Sequence, residues 1–153
     1  MTAPAHYAIG AASALLIQNY LPVESGNKTR IACALGIAIL SHVVADTIPH
    51  AEHFLKGWRL ALELVIETIV MLAVLVGASR SPFVAAIILA GMAGAAIPDG
   101  LGMLSRVVGL PVLSWIDDKM HLSHGKLNLF YANHFLQLVI TVLCSTYVRI
   151  KSA

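Results

Sequence analysis

Residues 30–50 read RIACALGIAILSHVVADTIPH. A run of this length without an internal charge until Asp46 is long enough to cross the hydrocarbon core of a bilayer, which takes about 20 residues of helix. It closes on His42, Asp46, Pro49 and His50. Ionisable groups at the end of an apolar span are costly in lipid and need partners or a function.

The pattern recurs along the chain. Apolar segments at 5–23, 60–78, 82–98 and 129–150 flank this one, separated by the turn-rich ESGNKTR (24–30), the mixed HAEHFLKGWR (50–59) and SRSP (79–82). Residues 99–128 are mixed in character and read as an interfacial or re-entrant segment. The expectation is an all-α integral membrane bundle of about five transmembrane helices, forming one domain over residues 1–153.

Composition agrees. Of 153 residues 58% are hydrophobic and 12% charged, with a mean hydropathy of +0.81, whereas soluble domains carry about 25% charged residues. A net charge of +2 without a basic run leaves no footprint for nucleic-acid binding. Cys33 and Cys144 lie in apolar stretches and read as small hydrophobes. The first segment lacks a basic leader and a convincing cleavage site, so it reads as a retained helix. The run AGMAGAA (90–96) offers small residues for close helix packing.

Five alternating spans place Lys56, Arg59, Arg106, Lys119 and Lys126 on one side and Lys28, Arg30, Arg80, Arg149 and Lys151 on the other, so charge gives no orientation. The same topology gathers His6, Asp46, His50, His53, Glu63, Glu67, Asp99, His121, His124 and His134 at one side. His42 and Asp46 stand four apart, on one helical face, as do Glu63 and Glu67. Asp117, His121 and His124 would share a face if that stretch is helical. Imidazole with carboxylate and no nearby thiolate suits zinc, manganese or iron; several such pairs suggest more than one metal, and paired metals favour hydrolysis of phosphoesters.

The segment HVVADTIPH (42–50) resembles the H-x-x-x-D element, followed by proline and histidine, of the zinc-dependent phospholipase C and single-strand nuclease superfamily. AAIPDG (95–100) resembles the Pro-Asp element of the YdjM-like family of membrane-bound metal-dependent hydrolases. That family also opens with a histidine, as His6 does, and carries a later two-histidine motif similar to HLSH (121–124). The resemblance covers short motifs: here the Pro-Asp element follows the H-x-x-x-D element, the reverse of the family order, and the arginine of the two-histidine motif is absent.

The resemblance implies His6, His42, Asp46, His50, Asp99, His121 and His124 as ligands of a divalent metal, zinc above manganese or iron, in a protein of the bacterial inner membrane. Glu63 or Glu67 would accept a proton from a metal-activated water. The expected function is hydrolysis of a phospholipid or other amphiphilic phosphoester, with membrane lipids as partners, no nucleic acid, and oligomerisation left open. The alternatives are a proton- or metal-ion-translocating protein, and an accessory subunit of a larger membrane complex whose histidines ligate a pigment or haem.

Overall fold

The computed structural model of the chain describes residues 2–48, 57–77, 79–112, 115 and 130–152. The described residues form five helices and no strand. They are α1 (Ala3–Gln18), α2 (Asn27–Ala45), α3 (Trp58–Leu75), α4 (Pro82–Val108) and α5 (Phe130–Ser152). Three stretches are long and apolar enough to cross a membrane: Asn27–Ala45, Pro82–Ser105 and His134–Ser152. The other two helices differ in kind. α1 has only 16 residues, and α3 carries Arg59, Glu63 and Glu67 within its 18.

Local chemistry sets the helix ends. Pro4 opens α1 and Pro82 opens α4, where a missing N–H costs nothing. Gly57, at φ 61°, precedes α3, and Gly109, at φ 68°, ends α4 by donating its N–H to the Ser105 carbonyl at 2.8 Å. Arg30 ties the α1–α2 turn together through Nη2 to the Pro22 carbonyl (3.0 Å) and Nε to the Ser25 carbonyl (3.2 Å).

The structure corrects two boundaries. α1 ends at Gln18 and not at residue 23, because Tyr20 to Ser25 form the turn that Arg30 holds. The fourth segment does not stop at Pro98: α4 runs through it for ten more residues, to Val108. A proline inside a membrane helix is tolerated where neighbouring groups satisfy the freed backbone, so Asp99 is an interior residue of α4 and neither ends nor caps it.

The hub is α1, which packs against each of the other four helices. Its Ala5, Ala8, Ala11 and Ala14 are fully buried, and this stripe lets α4 come to backbone distance. A Cβ on Gly91 would lie 2.6 Å from the Gly10 carbonyl oxygen and 2.9 Å from Ala11 Cα, and one on Gly94 would lie 2.5 Å from the Leu35 oxygen. Close approach through small residues replaces the hydrophobic drive that lipid does not supply. On the outside, Leu62, Val65, Ile66, Ile69 and Val70 of α3 are exposed.

Gly91→Leu is therefore expected to lower the thermal midpoint in detergent, since backbone opposes the new side chain and overpacking costs about 1–3 kcal/mol or more. Gly36→Leu serves as the comparison, because a Cβ there meets nothing within 4 Å. Equal midpoints for the two variants would refute backbone-level packing of α1 on α4.

Candidate metal centre

Three helices bring four of the expected ligands together. His6 comes from the first turn of α1, His42 from the last turn of α2, Asp46 from the residue that caps α2, and Asp99 from the interior of α4. The α1–α4 and α2–α4 contacts through Gly91 and Gly94 lie one to two turns before Asp99, so the same small residues that permit packing set the site's width. His6, His42 and Asp46 are buried, at 1%, 0% and 1% exposure, whereas the Asp99 side chain is 47% exposed.

Asp46 faces both histidines. Its Oδ1 lies 3.3 Å from His6 Nε2 and its Oδ2 3.5 Å from His42 Nε2. The two rings stack, with centroids 4.1 Å apart and planes 21° from parallel. Asp99 Oδ1 lies 3.8 Å from His42 Nε2. One donor atom each from His6, His42 and Asp99 falls within 4.8 Å of the other two, a group able to hold a metal ion.

The tautomer of His42 follows from its backbone contact. Nδ1 sits 2.7 Å from the Ala95 carbonyl oxygen, which only accepts, so Nδ1 carries the proton and donates. Nε2 then faces the oxygens of Asp46 and Asp99, and either a proton on Nε2 or a metal ion shared at that point satisfies them. A histidine that donates its second ring N–H to a backbone carbonyl is also the common arrangement of a metal ligand. The donor set of imidazole nitrogen and carboxylate oxygen thus fits a divalent transition metal.

Pro98 bears on this contact. It has no N–H to give to the Gly94 carbonyl, and the Ala95 carbonyl, one residue further on, is the acceptor that His42 uses. The interruption of the α4 ladder and the anchoring of His42 are neighbours in the same turn.

The other expected site residues stand as follows. Glu63 and Glu67 are half-buried on α3 and line a groove with Trp58, Arg59, Leu62 and Ile66, outside the His6–His42–Asp46–Asp99 cluster. α3 joins α1 next to His6 through the Tyr7 hydroxyl, 3.0 Å from Thr68 Oγ1. His134 lies half-buried in α5. His50, His53, Asp117, His121 and His124 lie outside the described residues.

Two contributors have no signature in a list of ligand-type residues. One is the Ala95 carbonyl. The other is Gln137, 3% exposed on α5, whose Oε1 accepts the Thr2 backbone N–H at 2.6 Å and so holds the start of α1 four residues before His6. Comparison of the chain with protein-family models, curated proteins and solved structures gives no match in any of the three.

Proposed function

We propose that the chain is a membrane-embedded, zinc-dependent hydrolase of phospholipids or other amphiphilic phosphoesters, in a bacterial inner membrane. The observation that supports it best is His42, its Nδ1–H on the Ala95 carbonyl and its Nε2 aimed at Asp46 and Asp99. One donor atom each of His6, His42 and Asp99 lies within 4.8 Å of the other two, close enough to share one ion, and Asp46 pairs with both histidines at 3.3 and 3.5 Å. The resemblance to the YdjM-like and phospholipase C motifs points the same way.

In this reading His6, His42 and Asp46 form the inner side of the centre and Asp99 its open edge. A divalent metal held there would polarise a phosphoryl oxygen and acidify water at that position. Asp46, paired with Nε2 of both stacked imidazoles, would keep the two rings oriented for the ion. Asp99, half in contact with the exterior, leaves a side from which a substrate oxygen can approach. Glu63 and Glu67, on the helix joined to α1 beside His6, are the carboxylates assigned to take up the proton.

The test is turnover of a fluorogenic phosphatidylcholine by detergent-purified protein, zinc-loaded and chelator-stripped, for the wild type, Glu63→Gln and Glu67→Gln. Turnover should require zinc, and one of the two glutamine variants should keep its zinc while losing about 10²–10⁴-fold in rate, the range of general-base catalysis. Equal turnover in the stripped sample would sink the metal-hydrolase reading. Full turnover in both variants would remove the glutamates from it.

A further inference from the structure

The end of the bundle away from the metal centre is built from the stretches 18–30, 72–85 and 144–153. They carry Lys28, Arg30, Arg80, Arg149 and Lys151 against a single acid, Glu24. Arg30 is committed to the α1–α2 turn through the Pro22 and Ser25 carbonyls, and the other four cations are exposed. Three of them are drawn together. The Arg80 N–H donates to the Ser152 carbonyl at 3.2 Å and ties the turn before α4 to the last turn of α5. Among the described residues no carboxylate pairs with Arg80, Arg149 or Lys151.

Cations in the last turn of a helix have a local use, since they offset the partial negative charge of its final carbonyls. That use does not call for Arg80, which belongs to the turn before α4, nor for the apolar track that runs along α5 from the same point. Arg149 and Lys151 flank Ile150. Ile150, Leu143 and Leu136 recur at seven-residue intervals, so they stay within about 40° of one line along the helix. All three are exposed, at 69%, 65% and 45%, whereas Val148 and Ser152, on the other side of the last turn, are buried. Long cationic side chains near a helix end lay their stems on such a surface and hold their charged heads at the interface.

We propose that this end of the bundle binds an anionic phospholipid, with its phosphate among Arg80, Arg149 and Lys151 and an acyl chain laid along Ile150, Leu143 and Leu136. Charge complementarity selects the headgroup. Three cations without a neighbouring acid attract a phosphodiester of net negative charge, and they offer a zwitterion nothing for its ammonium. The guanidinium of arginine suits phosphate oxygens in particular, which it can meet with two parallel N–H groups. Arg149 lies twelve residues beyond Gln137 on α5, about 18 Å along the axis, and Gln137 stands beside the head of α1. The lipid site and the metal centre are therefore at separate ends, and the one stands without the other.

Quenching by brominated lipid tests the site without metal or turnover. In a Cys33→Ala/Cys144→Ala background, Thr146→Cys beside the apolar track and Val70→Cys on the outer face of α3, both exposed, carry a bimane fluorophore in phosphatidylcholine vesicles. Brominated phosphatidylglycerol and brominated phosphatidylcholine are compared as quenchers. One Lys or Arg near an anionic lipid surface is worth about fivefold in partition. Phosphatidylglycerol should therefore half-quench Thr146→Cys at a mole fraction at least about fivefold lower than phosphatidylcholine does, and quench Val70→Cys no better. Arg80→Gln/Arg149→Gln/Lys151→Gln should erase the preference. So should about 1 M salt on the unsubstituted site, where screening acts within about 3 Å and no variant has to fold. Equal quenching by the two lipids at Thr146→Cys would overturn the site, as would a preference that survives the triple substitution or the salt. A preference abolished by soluble glycerol phosphate would make this a site for aqueous anions and refute the lipid as its occupant.

Discussion

Asp46→Ala is expected to empty the metal centre. Among the described residues Asp46 pairs with both histidines, at 3.3 and 3.5 Å, and it is buried with them. Groups that merely orient a metal ligand cost about 10–100-fold in affinity when removed, so loss of a ligand should cost more than about 100-fold. Mass spectrometry of protein purified without chelator should find close to one zinc per wild-type chain and none per variant chain.

The substitution also leaves two imidazoles buried without their shared carboxylate, and breaking a buried pair by removing one partner costs about 3–5 kcal/mol. Asp46→Asn keeps the volume and separates the two effects: the fold should be retained and the zinc lost. Asp99→Ala should lose zinc with a smaller loss of stability, because water reaches a side chain that is 47% exposed. Zinc at wild-type occupancy in Asp46→Ala would remove Asp46 from the centre.

Much of this arrangement is legible in the chain before folding, and the parts that are not share a cause. The apolar runs gave five helices because hydrocarbon-length segments separated by Gly, Pro and charge admit few other readings. His42 and Asp46 were readable as a pair because a helix places i and i+4 on one face. That His6 and Asp99 join them follows from alternating the helix directions.

Pro98-Asp99-Gly100 misled, because in water that tripeptide reads as a turn. In α4 the helix continues through it, with the Ala95 carbonyl bonded to His42. A backbone carbonyl has no letter of its own, so its role emerges only when α2 lies beside α4. Gln137 carries no ligand-type signature in the sequence, and the bond to Thr2 places it beside the head of α1. Asp46 and Asp99 each follow a small-residue span near a proline, ALGIAILSHVVADTIPH and ILAGMAGAAIPDG. The fold brings both acids to within 3.5 and 3.8 Å of one His42 nitrogen.

Removing the metal should soften the bundle, and the size of the effect follows from where the centre sits. It joins α1, α2 and α4, which meet at backbone distance through Gly10, Gly91 and Gly94 and share a buried cluster with Ala8, Ala11, Ala34, Ile88 and Met92. An ion held by His6, His42 and Asp99 would add a cross-link between the three helices at the His6 end, beside the His42–Ala95 and His6–Asp46 contacts. A ligand that binds only the folded state stabilises by about 2.7 kcal/mol at 100 times its dissociation constant. For a chain of this length each kcal/mol moves the midpoint by about 2–4 °C, so the expected shift between zinc-loaded and chelated wild type is about 5–10 °C. Loss of helical circular dichroism on heating in detergent measures it, with zinc added back to the chelated sample to restore the higher midpoint. His42→Ala should show no zinc-dependent shift, since the centre loses the ring that faces both acids. A wild-type midpoint indifferent to zinc would mean that the four residues form a proton-linked polar cluster, and the metal-dependent chemistry built on them would fall with it.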